Sequence, residues 1–469
     1  MKNKRRSKRG RGHRAKGLPA ELMQRINPNA AGIDCGAQHH YVAVPAERDE
    51  QPVRAFSTFT ADLQALADWL EACEVDTVAM ESTGVYWMAL FEIVQSRGIE
   101  VVLVNARHVK NVPGRKSDVS DCQWLQQLHT VGLLRGSFRP EAKIAQVRAY
   151  VRHRQMLVEG AGDYVRRMQK ALVQMNVHLH NVLSDITGMT GLQIVRDIAA
   201  GVHDPAVLAQ HRDPRCRASQ AEIEASLTGY YRPEHLCALR QCLELYDAHQ
   251  RHIQECDLEI ERVLQDLAAE QPAPTEPLPR ARVRRRARDN EPRFEVRELL
   301  YQLTGGADLT QIDSIGPFAA LRLIAEVGTD MSRWPSAHHF TSWLTLAPHN
   351  KITGGKLISS KTPRSANRAA ALLRICAMSL ARSSTALGAF YRRMAYRTDK
   401  PTAITATARK LAILVYRVLS GTLVYQDPGA SAYEAQHRSR ALNNLRTRAQ
   451  RLGFQLVALN DDEPPVAVS

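Results

Sequence analysis

Between residues 31 and 104, short apolar runs alternate with two amphipathic stretches, and this order constrains the fold more than any other feature of the chain. Residues 31–35 (AGIDC) and 40–44 (HYVAV) are too short for helices and flank Gly36, which predicts a β-hairpin. A third strand is expected near Phe56. Residues 60–73 (TADLQALADWLEAC) carry apolar residues at helical spacing, with Thr60 as the expected N-cap. Residues 75–81 (VDTVAME) predict a strand, residues 86–97 a helix and residues 100–104 (EVVLV) a further strand. Such elements bury their apolar faces by layering helices on a sheet.

Beyond this segment the pattern becomes long and helical, from about residue 141 to 183. Leu239, Tyr246, Ile253, Ile260 and Leu267 then recur every seven residues. Leu236, Leu243 and Leu264 lie on the companion seam, which Gln250 and Asp257 interrupt. The pattern fits a coiled-coil arm, and equally an amphipathic helix packed on its own domain. Pro and Arg dominate residues 269–292, as in an exposed linker. The expected organisation is a basic disordered tail (1–28), an α/β domain (29–138), a helical linker and arm (139–268), a Pro/Arg-rich linker (269–296), a second, mostly α-helical domain (297–425) and a polar tail (426–469).

Charge narrows the class of partner. The net charge of +15 is clustered in Lys2–Lys16 and Arg280–Arg288. A chain this basic usually meets a polyanion, and nucleic acid is the first candidate. No apolar h-region follows Lys16, so a signal peptide is not expected. No apolar stretch is long enough to span a membrane. The eight cysteines form no CxxC pair and the histidines no HExxH cluster, so a zinc site is not expected. Scattered cysteines suit a reducing, intracellular compartment.

Four carboxylates carry the chemistry. Asp34 lies in the first strand, Glu81 ends the strand VDTVAME, and Asp118 and Asp121 lie three apart in KSDVSDCQWL. If that stretch is helical, both aspartates share a face. An acid within an apolar strand is costly unless paired or metal-bound. Converging acids repel, and a divalent cation removes that repulsion; Mg2+ takes oxygen ligands and leaves sites for water and phosphate. Each acid also has a plainer role open to it: Asp34 in a turn, Glu81 near a helix N-terminus, Asp118 and Asp121 on a solvated helix face.

The order of strands and helices is that of an RNase H-like domain. With GIDCG, MESTGVYW (80–87) and VVLVNARHVKNVPGRKSDVSDCQWLQQL (101–128), this first stretch resembles the DEDD transposases of the insertion-sequence-110 family, in the branch typified by insertion sequence 1111. A second stretch, 309–380, carries IDSIGPFAALRLIAEVG, FTSWLTLAP, ITGGK, LISSKT and NRAAALLR and resembles the same family. The resemblance implies a RuvC-like nuclease domain whose metal-binding tetrad is Asp34, Glu81, Asp118 and Asp121, with Mg2+ as cofactor and Mn2+ as a substitute. It implies a C-terminal transposase domain in which a serine before Gly-Gly-Lys attacks DNA and forms a covalent link.

Here the matching residue is Thr353, in Lys351-Ile352-Thr353-Gly354-Gly355-Lys356. Threonine keeps the hydroxyl, and its methyl group crowds an in-line attack, so a slower enzyme is expected. Ser359 and Ser360 are the fallback nucleophiles. The same TGGK also reads as a tight turn. Lys116, Lys356 and Arg364, with the Gly354–Gly355 turn, are expected against phosphates. Residues 312–327 resemble a helix-hairpin-helix with Gly316 at its turn, or an ordinary helical hairpin.

The expected function is excision and insertion of the chain's own insertion sequence. The partners are element-end and target DNA, an element-encoded guide RNA, and further copies of the chain in a dimer or tetramer. The expected setting is the bacterial cytoplasm, at the nucleoid. The competing functions are a DNA junction endonuclease that uses water, and a catalytically impaired nucleic-acid-binding relic.

Overall fold

The computed structural model describes residues 24–105, 118–281 and 290–457, with backbone only at 118–120. The chain divides into two compact units, Met1–Arg139 and Pro140–Ser469.

The first unit is built on five strands: β1 (Ala30–Cys35), β2 (His39–Ala43), β3 (Val53–Ser57), β4 (Thr77–Glu81) and β5 (Glu100–Val104). Their order in the sheet is β3-β2-β1-β4-β5. The first three pair antiparallel, and β1, β4 and β5 run parallel. The β1–β2 turn closes with the Gly36 N–H donating to the His39 carbonyl at 3.1 Å. Parallel neighbours need crossover connections, and two helices supply them: α1 (Thr60–Ala72) between β3 and β4, and α2 (Trp87–Ser96) between β4 and β5. Leu66, Leu70, Leu90 and Val94 of these helices pack on Ile33, Val78 and Met80. The other sheet face takes α3 (Asp118–Thr130), whose Leu125 is fully buried with Ala79 and Val104.

The N-cap of α1 is Phe59, not Thr60. Phe59 supplies no side-chain cap; the Ser57 hydroxyl before it accepts from the Phe59 N–H at 3.3 Å and donates to Asp62.

Among its described residues the second unit is helical apart from one hairpin. Its spine is α4 (Ala142–Gln174) and α9 (Pro233–Ala269). They run antiparallel, since Gly160 meets His249, Arg154 meets Asp257 and Lys143 meets Glu270. The seven-residue seam is thereby settled: Leu239, Ile253, Ile260 and Leu267 are buried within their own unit. Asp257, which interrupts the seam, is held by the buried Arg154 guanidinium at 2.5 and 3.1 Å. Between the two long helices α5 (Leu179–Val182), α6 (Met189–Ala200), α7 (Pro205–Ala209) and α8 (Gln220–Leu227) close a second core around Ile194, Ile198, Ile223 and Leu227.

After the linker come α10 (Val296–Leu303), a 3-10 turn (Leu309–Gln311), α11 (Pro317–Val327) and α12 (Ala337–Trp343). The hairpin of β6 (Lys351–Thr353) and β7 (Lys356–Ser359) follows. Then come α13 (Arg368–Ser379), α14 (Ala386–Arg397), α15 (Lys400–Leu419) and α16 (Gly429–Arg451). The first part of the linker is strapped down: Arg297 donates to the Pro279 carbonyl at 2.6 Å and Tyr301 to that of Glu276 at 3.0 Å. Residues 282–289 of the arginine run lie outside the described residues, as do 1–23 of the basic tail. Residues 429–451, expected as tail, form a helix of 23 residues.

Candidate active site

The acidic residues of the first unit are positioned by strand alternation. Ile33 and Met80 stand opposite each other in the parallel β1–β4 pair, and both enter the core under α1 and α2. The next residues, Asp34 and Glu81, therefore belong to the other face, at the same end of neighbouring strands. Both are half-buried. Helix α3 covers that face, and Gly32 sets how closely. A Cβ at Gly32 would collide with the backbone of Cys122 and Gln126 and lie 2.9 Å from the Gln126 Cα. The missing side chain admits the first turns of α3 against β1, two residues from Asp34, and half-buried Asp121 lies in this part of the helix.

Two thiols register the acids around them. Burial pushes Cys35 far above the usual thiol range, and the charges of Asp34 and then Glu81 add to it. Burial, with Asp34 and Asp121 adding, raises Cys122 to about 12. Asp34 thus shares one neighbourhood with Glu81 and another with Asp121. The loop after β4 is pinned: Ser82 donates its N–H and its hydroxyl to the Val104 carbonyl at 2.9 and 3.0 Å. The Thr83 hydroxyl donates to Glu81 Oε1 at 2.8 Å. Asp118 opens α3 one turn before Asp121; its side chain, and Lys116, lie outside the described residues. Among the described residues no three His, Cys, Asp or Glu side chains form a metal-holding group.

Thr353 belongs to the second unit. It pairs with Lys356 across Gly354 and Gly355, whose φ values are +54° and +76°. Two central residues at positive φ make a type I′ turn, which suits the twist of a hairpin and favours glycine at both positions. Thr353 is exposed, and among the described residues its hydroxyl has no hydrogen bond. Ile352, Leu357 and Ile358 of the same hairpin are exposed, as are Lys356, Ser360 and Arg364. Ser359 is half-buried and accepts from the Lys361 N–H at 3.4 Å.

In the turn before α11, Gly316 is the N-cap with extended backbone (φ −88°), and Pro317 follows it at the first helical position. The residue at positive φ is Ser314, at +71°. The glycine-like conformation expected at this turn is therefore taken by a serine, whose buried hydroxyl has no hydrogen-bond partner among the described residues.

Two family models match these regions. One, for the DEDD transposases of the IS110 family and described as "Transposase", matches residues 31–177. The other, described as "Transposase IS116/IS110/IS902 family", matches residues 306–392. The chain belongs to the IS110 family of transposases. No curated protein matches it. The first match spans Asp34, Glu81, Asp118 and Asp121 of the transposase, and the second spans Gly316, Thr353, Gly354, Gly355, Lys356, Ser359, Ser360 and Arg364. A transposase acts on DNA, and among the described residues no helix is long and apolar enough to cross a membrane.

Sequence inspection singled out the acids of this transposase but not Gly32, whose role depends on a helix some ninety residues away in the chain. The signal that could have drawn attention to it is its spacing, two residues before Asp34 and on the same strand face.

Proposed function

We propose that this transposase excises and inserts its own insertion sequence through an RNase H-like (RuvC-like) nuclease unit and a nucleophile carried on the β6–β7 hairpin. In this mechanism Asp34, Glu81, Asp118 and Asp121 hold Mg2+, or Mn2+ in its place. The donor set fits: carboxylate oxygens alone, from two adjacent strand ends and the covering helix, are what a hard divalent cation takes. When bound, the cation supplies a Lewis acid that draws charge from the scissile phosphate and stabilises the departing oxygen.

Thr353 Oγ attacks phosphorus as its proton is removed. The bond to the leaving deoxyribose oxygen breaks, and that oxygen takes up a proton. One phosphoester is exchanged for another, so a DNA hydroxyl can reverse the step and free Thr353. The type I′ turn holds Thr353 at an exposed tip, and Lys356 and Arg364 beside it meet phosphates. Lys116 and the turn at Gly316 contact the backbone of the same DNA. An element-encoded RNA selects the ends, and two or four copies hold them together.

The observation that supports this proposal is that Asp34 and Glu81 end neighbouring parallel strands on the sheet face covered by α3, with Asp121 near the start of that helix. The β3-β2-β1-β4-β5 order supports the RNase H-like assignment.

A trapping assay tests it. Protein, Mg2+, flanking RNA and labelled element-end DNA are mixed, denatured and run on a gel. A covalent band is expected for the wild type and for Thr353→Ser. It should be absent in Thr353→Ala and reduced about 10²-fold or more in Asp118→Asn, the scale of losing several kcal/mol of phosphate stabilisation. Cleavage in Thr353→Ala with no covalent band in any sample would instead assign the attack to water and leave Thr353 a turn residue.

A further inference from the structure

Inside the second unit, α4, α11 and α13 line a cleft of about 540 Å³ whose apolar lining includes buried Val151 and Leu372 and exposed Ile375. Six charged or ionisable side chains line it: Arg152, His153, Glu159, Arg322, Glu326 and Arg368. Their pairing is uneven. Arg152 holds Glu326 through two bonds of 2.7 and 2.8 Å, and Arg148 stands 3.8 Å from the same carboxylate. Arg148 also caps the end of α11, donating to the Ala325 and Glu326 carbonyls. Glu326 is thus paired with Arg152, which lines the cleft beside it, and lies near Arg148. Glu159 accepts from the Gln155 amide at 2.9 Å.

Arg322 and Arg368 remain. Among the described residues neither guanidinium has a hydrogen bond or an ion pair; Arg322 only stacks over Phe318, 5.7 Å from the ring centre. Arg322 is half-buried, and Arg368 is exposed on the lining of the cleft. Burial lowers Arg322 from the usual arginine range and outweighs the nearby Glu159 and Glu326 charges, while the like charge of Arg368 adds to the lowering. Arg322 and Arg368 stand close together, and a guanidinium half-withdrawn from water whose N–H groups are unbonded among the described residues is costly. An anion between them removes that cost. Arg368 is also the first residue of α13, so the partial positive end of a helix of 12 residues opens on the same space.

We propose that this cleft seats a phosphodiester of the nucleic-acid backbone, with Arg322 and Arg368 on the phosphate and the apolar lining under the sugar. The Arg322–Arg368 pair is separate from the tetrad and from the Thr353 hairpin. The inference rests on the transposase assignment only for the presence of a polynucleotide, and it needs neither metal nor cleavage.

The test uses the full-length protein in EDTA, so that the chemistry of the proposed tetrad plays no part. Binding of a labelled duplex DNA and of a labelled single-stranded RNA of equal length is followed by fluorescence anisotropy over a salt series. Variants are Arg368→Gln, Arg322→Gln, Arg322→Lys and Ala371→Glu, the last placing an acid on the exposed mouth of the cleft. Arg368→Gln is expected to weaken binding up to about tenfold at low salt and to make the salt slope shallower by about 0.7 to 0.9, the share of one phosphate contact. Ala371→Glu should weaken binding similarly, and Arg322→Lys should retain most of it.

The polymer whose slope changes is the occupant, and a change for both assigns the cleft to either backbone. Arg322 lies partly in the core, so its glutamine variant counts only at unchanged melting temperature; Arg368 and Ala371 sit nearer the solvent and decide the matter. Unchanged affinity and slope for both polymers in Arg368→Gln and Ala371→Glu would overturn the proposal. Absence of the covalent band in wild-type protein whose salt slope still responds to these variants would instead fault the catalytic mechanism.

Discussion

At Gly32 the absence of one methyl group sets how close a helix comes to a strand. A Cβ there meets only backbone atoms of Cys122 and Gln126, and backbone cannot turn aside as a long side chain can. Gly32→Ala is therefore expected to lift the first turns of α3 from β1. Overpacking of this kind costs about 1–3 kcal/mol, and it would move Asp121 relative to Asp34. Hydrogen exchange should show faster exchange of the α3 amides, with the covalent product falling alongside. Native exchange rates in α3 would mean that the helix has another way to accommodate the methyl. Asp34 and Glu81 drew attention in the sequence because each stands in or at the end of an apolar run, where a charge demands a reason, whereas Asp118 and Asp121 were singled out by their spacing and by the family resemblance. Gly32 was not, because its neighbours lie on an element distant in sequence. Ser314 escaped for a related reason: a serine at φ +71° gives no local sign of the conformation it adopts.

At the scale of elements, α3 is tied down at its far end by a histidine. Buried His129 shares a hydrogen bond of 2.9 Å with the Thr77 hydroxyl of β4, and the Asn27 amide donates to the His129 carbonyl at 2.8 Å. Burial lowers His129 below the ordinary imidazole range, outweighing the nearby Glu100 and Asp76 charges. Buried His40 on β2 is lowered by burial too. The sign follows from linkage. Below about pH 6.5 the unfolded chain takes protons that the folded unit refuses, so stability falls with pH from there down to the folded-state values. Above about pH 6.5 both histidines are neutral in either state and the contribution is flat. His129→Gln, which keeps a side chain able to bond Thr77, should reduce the drop in melting temperature between pH 7 and 5. An undiminished drop would leave His40 or other groups as its source. The strands and helices of this unit were legible because period-two and period-3.6 apolar patterns survive in short windows. The direction of the α9 seam was not, since a heptad says only that one face is apolar. The buried Arg154 beside Asp257 shows that the face turned inward, onto α4.

At the scale of the whole molecule, the net charge of +15 is a long-range property, and α16 shows where part of it is spent. This helix was read as tail because its sequence is polar, and that polarity has a structural counterpart: none of its residues is buried. Its attachment is light, with Tyr433 edge-on to Phe390 at 6.4 Å and under Arg393 at 4.9 Å, and the Ala430 N–H on the Ser384 carbonyl at 3.1 Å. Asp427, which accepts from the Ala386 N–H at 3.0 Å, precedes the helix and survives its removal. Within the helix stand Arg438, Arg440, Arg446, Arg448 and Arg451 against Glu434 alone. A helix that buries nothing adds little to the core, and a row of arginines held on a rigid element meets phosphates at little entropic cost. Truncation after Pro428 should therefore leave the melting temperature within about 2–4 °C of the full chain, the scale of 1 kcal/mol in a unit of this size. The same truncation should weaken duplex-DNA binding and make its salt slope shallower by at least about 1. A large drop in melting temperature would make α16 a structural brace. An unchanged slope would leave its arginines solvated, and the salt dependence of binding would then arise elsewhere in the chain.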